Sequence, residues 1–90
     1  MAKPKFDGVI EAVHYTADRQ IEWVRAYERR GPTWSDHLLL DRAALIEQLE
    51  AGRRFHIGQR VKRHASQFQL GAAVNLQQVK QNELPGVPEI

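Results

Sequence analysis

Two stretches rich in β-branched and aromatic residues open the chain and predict a β-hairpin. Residues 6–15 are apolar on both alternating faces, with Val9 and Val13 on one of them, which is typical of a central strand. Residues 20–29 form the second stretch, and the four residues Thr16-Ala17-Asp18-Arg19 separate the two. Because an aspartate side chain can hydrogen-bond its own backbone, this separating segment is suited to a turn.

A shorter third strand is predicted over residues 34–40. Gly31 and Pro32 end the second strand, since proline cannot donate to a β-ladder and glycine admits unusual backbone angles. Further along, residues 55–61 and 68–74 both read Phe-x-aliphatic-Gly-x-x-Val. We interpret both as extended segments with a glycine-marked turn or bulge, which brings the number of predicted strands to five.

One helix is predicted, over residues 42–51. Asp41 is a good N-cap residue, and Gly52 stands where a C-terminal cap belongs. The apolar side chains between them fall on one side of the helix, at Leu45, Ile46 and Leu49. Because an isolated helix of about ten residues is not stable in water, we expect this helix to pack on the sheet.

The chain is predicted to end in a polar tail. Residues 77–90 are rich in glutamine and finish with the segment Leu84-Pro85-Gly86-Val87-Pro88. This composition is typical of an unpacked, mobile terminus, so residues 1–76 are expected to form the whole domain. On this interpretation, deletion of residues 77–90 leaves the stability almost unchanged.

The order of the predicted elements is strand, strand, strand, helix, strand, strand. It predicts a mainly β domain of the α+β class, a small five-stranded antiparallel barrel or half-barrel with one short helix. The order is similar to that of the oligonucleotide/oligosaccharide-binding barrel, and also to that of an SH3-like barrel with an inserted helix. No residue motif links the chain to a family within either fold, so both topologies stay open.

Length and composition limit the number of domains, the kinds of chemistry and the cellular locations that fit the protein. Ninety residues fit one domain, and no run of about 18 apolar residues could span a bilayer. The basic N-terminus is not followed by the apolar stretch of a signal peptide. The chain has no cysteine, which excludes disulfides, thiol nucleophiles and thiolate metal sites. We therefore expect a cytoplasmic protein with no membrane contact.

The net charge of +2 conceals an uneven distribution of charge. Residues 1–45 carry seven basic and seven acidic side chains, whereas residues 53–64 carry five basic side chains and no acid. The five are Arg53, Arg54, Arg60, Lys62 and Arg63. Such a segment fits a surface that binds polyanions, and it equally fits an exposed edge strand whose cations deter aggregation.

No constellation of residues points to catalysis. Ser35-Asp36-His37 contains the residue types of a hydrolase triad, but neighbours on a strand face opposite sides, so Asp36 could not orient His37. The histidines lack the spacing that supplies two metal ligands from one element, and the glycines match no phosphate-binding loop. We therefore predict no enzyme activity, no metal site and no cofactor.

The second predicted strand carries the clearest candidate for a binding site. Ile21, Trp23, Arg25, Tyr27 and Arg29 occupy alternate positions and are expected to share one face. Aromatic rings that alternate with guanidinium groups are suited to base stacking and phosphate pairing. The alternative is that Trp23 and Tyr27 pack inward while Arg25 extends past them to solvent.

Together these patterns predict a non-enzymatic module that binds a polyanion, above all single-stranded nucleic acid. The predicted contact residues are Trp23, Arg25, Tyr27, Arg29, Arg53, Arg54, Arg60, Lys62 and Arg63. The alternative is a protein–protein interaction or self-assembly module, for example a homodimer. In that case Trp23, Tyr27 and Trp34 anchor the interface, because aromatic residues and arginine dominate the energetics of such contacts.

Overall fold

The computed structural model describes residues 7–61 and 64–90, and these form six strands and two helices. The strands are β1 (Gly8–Tyr15), β2 (Ile21–Arg30), β3 (Thr33–Trp34), β4 (Leu38–Asp41), β5 (Phe55–Val61) and β6 (His64–Val74). The helices are α1 (Arg42–Glu50), between β4 and β5, and α2 (Leu76–Lys80), after β6. The prediction of a mainly β domain is confirmed.

The strands form one sheet in the order β3-β2-β1-β5-β6, with β4 also paired to β2. Every pair is antiparallel except β1 and β5, which run parallel. Parallel neighbours need a crossover connection, and α1 lies in the connection that brings β5 back beside β1. The sheet is thus mainly antiparallel, with one parallel pair that the sequence did not predict.

In the part of the chain that the structure describes, the sheet does not close into a barrel. β3 and β6 lie at opposite ends of its order and are not paired with each other. The two ends nevertheless approach through side chains, since the rings of Trp34 on β3 and Phe68 on β6 have centroids 4.7 Å apart. The sheet is therefore open but curled, closer to the predicted half-barrel than to a closed barrel.

The predicted third strand is divided into the two short strands β3 and β4. Both pair with β2, but the three residues 35–37 lie opposite only two residues of β2. In this interval the Ser35 hydroxyl accepts a hydrogen bond from the Glu28 N–H, and the Ser35 N–H donates to the Glu28 carbonyl. The extra residue interrupts the ladder, which explains the division.

Helix α1 begins and ends at the predicted caps. The Asp41 carboxylate accepts a hydrogen bond from the Ala44 N–H, and Gly52 has a φ of +93°, a conformation that favours glycine. Leu45 is fully buried against the sheet, whereas Ile46 and Leu49 are only partly buried. The predicted apolar stripe therefore has one central residue and two peripheral ones.

This difference in burial predicts unequal effects of two substitutions in α1. We expect Leu45→Ala to lower the free energy of unfolding by about 2–4 kcal/mol, because it leaves a cavity in the core. Leu49→Ala should lower it by clearly less, since part of that side chain already contacts water. Urea unfolding monitored by circular dichroism measures both changes. Losses below about half a kcal/mol at both positions would show that α1 does not pack on the sheet.

The structure differs from the predicted unpacked tail over residues 77–90. Val79, Leu84 and Val87 are at most 7% exposed and belong to the core cluster between the sheet and the helices. The packed domain therefore extends well beyond residue 76. Composition concealed this contribution because the three apolar residues are dispersed among polar ones.

The end of the chain is also hydrogen-bonded to β1. β5 pairs with only the first part of β1. Further along, the Val13 N–H donates to the Pro88 carbonyl, and the Ile90 N–H donates to the Val13 carbonyl. Glu89 accepts two hydrogen bonds from the Arg19 guanidinium, at 2.9 and 3.1 Å, and this contact lowers the pKa of the Glu89 carboxyl. The last residues thus take the place of β5 beside β1.

Candidate functional site

The helices pack on one face of the sheet, and none of the described residues forms a helix on the other. On β2, Val24 and Ala26 belong to the core beneath the helices, whereas Trp23, Arg25 and Tyr27 lie outside that core cluster. Because successive side chains of a strand alternate, these three point to the opposite side. We call this side the open face. It consists of the side chains of these three residues and of the side chains that contact them or lie opposite them on neighbouring strands.

The open face agrees with the predicted stripe on β2 except at Ile21. Ile21 is buried in the core cluster. The pairing of β1 with β2 shifts by one residue at Glu22, since Trp23 pairs with His14 but Ile21 pairs with Tyr15. This bulge reverses the alternation and turns Ile21 toward the helices.

One end of the open face carries an aromatic cluster, which consists of Tyr27, Trp34, Phe68 and Arg60. The Phe68 ring lies between the other two rings, with centroids 4.9 Å from that of Tyr27 and 4.7 Å from that of Trp34. The Arg60 guanidinium lies over the Tyr27 ring, 4.6 Å from its centroid, and 5.6 Å from the centroid of Phe68. Tyr27 is only 5% exposed, so it supports the cluster from below.

The cluster exists because the hairpin of β5 and β6 bends across the open face. β5 pairs with β1 only as far as Ile57, and beyond that point Arg60 and Phe68 reach side chains of β2 and β3. Gly58 lies at the bend, where an added Cβ would stand 2.7 Å from Cγ1 of Val9. Only glycine permits so close an approach of the two strands.

Cationic side chains lie around the aromatic cluster. The Arg29 guanidinium lies 5.5 Å from the centroid of the Trp34 ring. Arg29 and Arg60 are both exposed, and no described carboxylate forms an ion pair with Arg60. Guanidinium groups over rings form cation–π contacts, which hold the group in place without neutralising its charge.

The opposite end of the open face carries Trp23 and His14. The half-buried Trp23 ring stacks on His14 with centroids 5.1 Å apart. The His14 Nε2 atom lies 3.2 Å from the Glu22 carboxylate, and Trp23 pairs across the ladder with Asp41. Trp23 therefore lies beside a histidine–glutamate pair and away from the aromatic cluster, although the sequence grouped it with the arginines.

At the centre of the open face, Arg25 and Tyr27 share one carboxylate. The Arg25 Nε donates to Oε1 of Glu11 at 2.9 Å, and the Tyr27 hydroxyl donates to the same oxygen at 3.2 Å. The charge of Arg25 is thus balanced by a neighbour. Glu11 was not among the predicted site residues, since a lone acid within an apolar strand gives no signal of its partner.

The remaining predicted cations are dispersed. Arg53 forms an ion pair with Glu28 at 3.1 Å, and Arg54 is exposed near the start of β5. Lys62 and Arg63 lie outside the described residues. Of the nine predicted contact residues, the structure therefore brings Tyr27, Arg29 and Arg60 to the aromatic cluster.

Sequence reasoning did not identify Phe68 as a site residue and named Trp34 only as an interface anchor. Phe55 and Phe68 hold the same position in the repeated pattern of residues 55–61 and 68–74. The structure instead places Phe55 in the core and Phe68 on the open face. The face on which a residue lies depends on strand register, which the pattern does not contain.

The described residues contain no group of three or more His, Asp or Glu side chains that could hold a metal ion. None of the helices described is long and apolar enough to cross a membrane. Comparison with protein-family models, with curated proteins and with solved structures finds no match to this chain. Fold and site together define a small, mainly β protein whose sheet is covered by helices on one face and carries an aromatic cluster on the other.

Proposed function

We propose that this protein is a non-enzymatic binding module that holds single-stranded nucleic acid at the aromatic cluster of its open face. The observation that carries the proposal is the position of Arg60. Its exposed guanidinium lies over two aromatic rings and has no carboxylate partner among the described residues. The group is therefore oriented but not neutralised, and it can pair with a phosphate.

Trp34 and Phe68 supply the stacking surface in this proposal. Both are half-buried, so part of each side chain reaches solvent, in contrast to Tyr27. Bases are available for stacking on side chains in single strands, where they are not enclosed in a duplex. Because every base has a π-face, we expect little preference for sequence.

Several residues of the sequence-based set take other roles in this proposal. Tyr27 supports the cluster from below, Arg25 and Arg53 are paired with carboxylates, and Trp23 lies at the opposite end of the open face on His14. The proposed contact set is Arg29, Trp34, Arg60 and Phe68, together with Lys62 and Arg63 from the sequence. This set is smaller than the one that the sequence suggested.

Fluorescence anisotropy with a labelled oligonucleotide of about 16 nucleotides tests the proposal. Three to five phosphate contacts should give a log–log salt slope between about −2 and −3.5, since each contact on a single strand contributes about −0.7. Arg60→Ala should flatten the slope by about 0.7. Trp34→Ala should weaken binding by about 1–3 kcal/mol with the slope nearly unchanged, because stacking releases no counterions.

Lys80→Ala is the matched control. Lys80 is exposed on α2, so the substitution removes one positive charge from the helical side of the sheet and should leave the slope unchanged. Thermal unfolding of each variant establishes that it is folded before binding is measured. If the folded wild-type protein shows no binding at about 50 mM salt and micromolar concentration, the proposal is wrong.

A protein partner is the second candidate, and it is favoured by two exposed leucines. Leu39, paired with Arg25 in the ladder, is 59% exposed, and Leu70, paired with Gly58, is 45% exposed. Apolar side chains at the margins of an open face suit a protein interface better than a phosphate-binding one. Size-exclusion chromatography at low and high salt separates the candidates, because a concentration-dependent complex indifferent to salt supports the protein partner.

A further inference from the structure

We propose that Glu11 is a built-in counter-anion of the open face, which withholds Arg25 from phosphates and confines a bound strand to the aromatic cluster. This inference rests on the proposed function. It assigns to Glu11 the role of limiting how far a bound strand extends along the open face. A face built only to attract a polyanion would not place a carboxylate against its central arginine. Glu11 does so, and at a position where its charge is hard to displace.

The geometry explains why the Glu11 carboxylate is a strong competitor. Its Oε1 atom accepts hydrogen bonds from Arg25 Nε at 2.9 Å and from the Tyr27 hydroxyl at 3.2 Å. The Glu11 side chain is only 19% exposed, so this ion pair is less screened by water than a surface pair. A phosphate that approaches Arg25 must therefore displace a charge-assisted hydrogen bond that is already formed.

A bulge in β1 places this carboxylate opposite Arg25. Ile10 pairs with Ala26 and Ala12 pairs with Arg25, so Glu11 is the extra residue between two successive pairs. Bulges commonly re-aim side chains beside functional sites. Because of this bulge, both Glu11 and Ala12 lie opposite the single residue Arg25 of β2.

The charge of the open face therefore changes along β2. Arg29 and Arg60 lie at the aromatic cluster, Glu11 balances Arg25 at the centre, and Glu22 lies near Trp23 at the far end. A chain of phosphates that continued from the cluster would meet the Glu11 carboxylate at the centre and the Glu22 carboxylate at the far end. We expect the bound strand to end its protein contacts at Glu11 and to leave Trp23 untouched.

Glu11→Gln tests the inference, because the amide keeps the size of the side chain and an oxygen for the Tyr27 hydroxyl but removes the charge. In the oligonucleotide assay this variant should steepen the salt slope by about 0.7, as Arg25 gains a phosphate contact. Arg25→Gln alone should leave the slope unchanged, whereas in the Glu11→Gln background it should remove the gain. This double-mutant cycle measures the coupling directly.

Glu47→Gln is the matched control, since it removes the same charge from an exposed position of α1 on the other side of the sheet. It should not change the slope. An unchanged slope in folded Glu11→Gln would overturn the counter-anion while the proposed function stood. A flatter slope in Arg25→Gln alone would also overturn it, and that result decides the question even if Glu11→Gln fails to fold. Absence of binding by the wild type would overturn the proposed function and this inference with it.

Discussion

Deletion of residues 77–90 is expected to unfold this protein. The deleted segment contains Val79, Leu84 and Val87, which are buried in the same core as Leu45. Burial of one such side chain stabilises a fold by about 1.5–3 kcal/mol, so the three together contribute about 5–9 kcal/mol. That is comparable with the whole stability of a small domain, about 5–15 kcal/mol. The deletion also removes the backbone hydrogen bonds between Val13 and the end of the chain.

Circular dichroism and thermal unfolding measure this effect. The truncated protein should show no cooperative transition, or one at a much lower temperature than the intact chain. Gln77→Ala and Gln81→Ala in the intact chain are suitable controls, because both positions are exposed and should change the stability by less than about 0.5 kcal/mol. A truncated protein that melts cooperatively at the wild-type temperature would contradict the packing of this segment.

Phe55→Ala should lower the free energy of unfolding by about 3–5 kcal/mol, the range for loss of a buried aromatic ring. Phe55 is 1% exposed and pairs with Gly8 where β1 and β5 run side by side. An added Cβ on Gly8 would stand 2.6 Å from the Phe55 ring, so the two strands are packed in direct contact at this point. Loss of the ring should therefore loosen the parallel pair that positions β5 and, through it, Arg60.

Phe68→Ala is the informative comparison for Phe55→Ala. Phe68 occupies the matching position of the repeated pattern but is half-buried on the open face. Denaturant unfolding should show a clearly smaller loss of stability for Phe68→Ala, while anisotropy should show weaker oligonucleotide binding by the folded variant. Equal losses of stability at both positions would indicate that Phe68 also belongs to a core, and the assignment of the open face would need revision.

The elements that depend on local signals were predictable from the sequence. Asp41 and Gly52 define the two ends of α1, because capping depends on residues within one turn of the helix terminus. The alternation of Trp23, Arg25 and Tyr27 predicted their common face, because side chains in a regular strand alternate. The mainly β character followed in the same way from short apolar stretches bounded by turn residues.

Alternation failed where the strand register shifts. The regular pattern placed Val9 and Val13 on one face of the first strand, but only Val13 belongs to the core cluster beneath the helices. The bulge at Glu11 reverses the faces after Ile10, since it adds one residue to β1 opposite β2. Whether a bulge forms depends on the partner strand, so the pattern within β1 could not reveal it.

By itself, the sequence determined the class of the fold, the position of the main helix and the presence of aromatic and basic residues suited to a polyanion. Only the tertiary structure decided which of those residues meet. It brought Phe68 and Arg60 to Tyr27, paired Arg25 with Glu11, and buried the apolar residues of the predicted tail. The physical reason is that these contacts join residues distant in sequence, so they depend on strand pairing and packing rather than on local propensity.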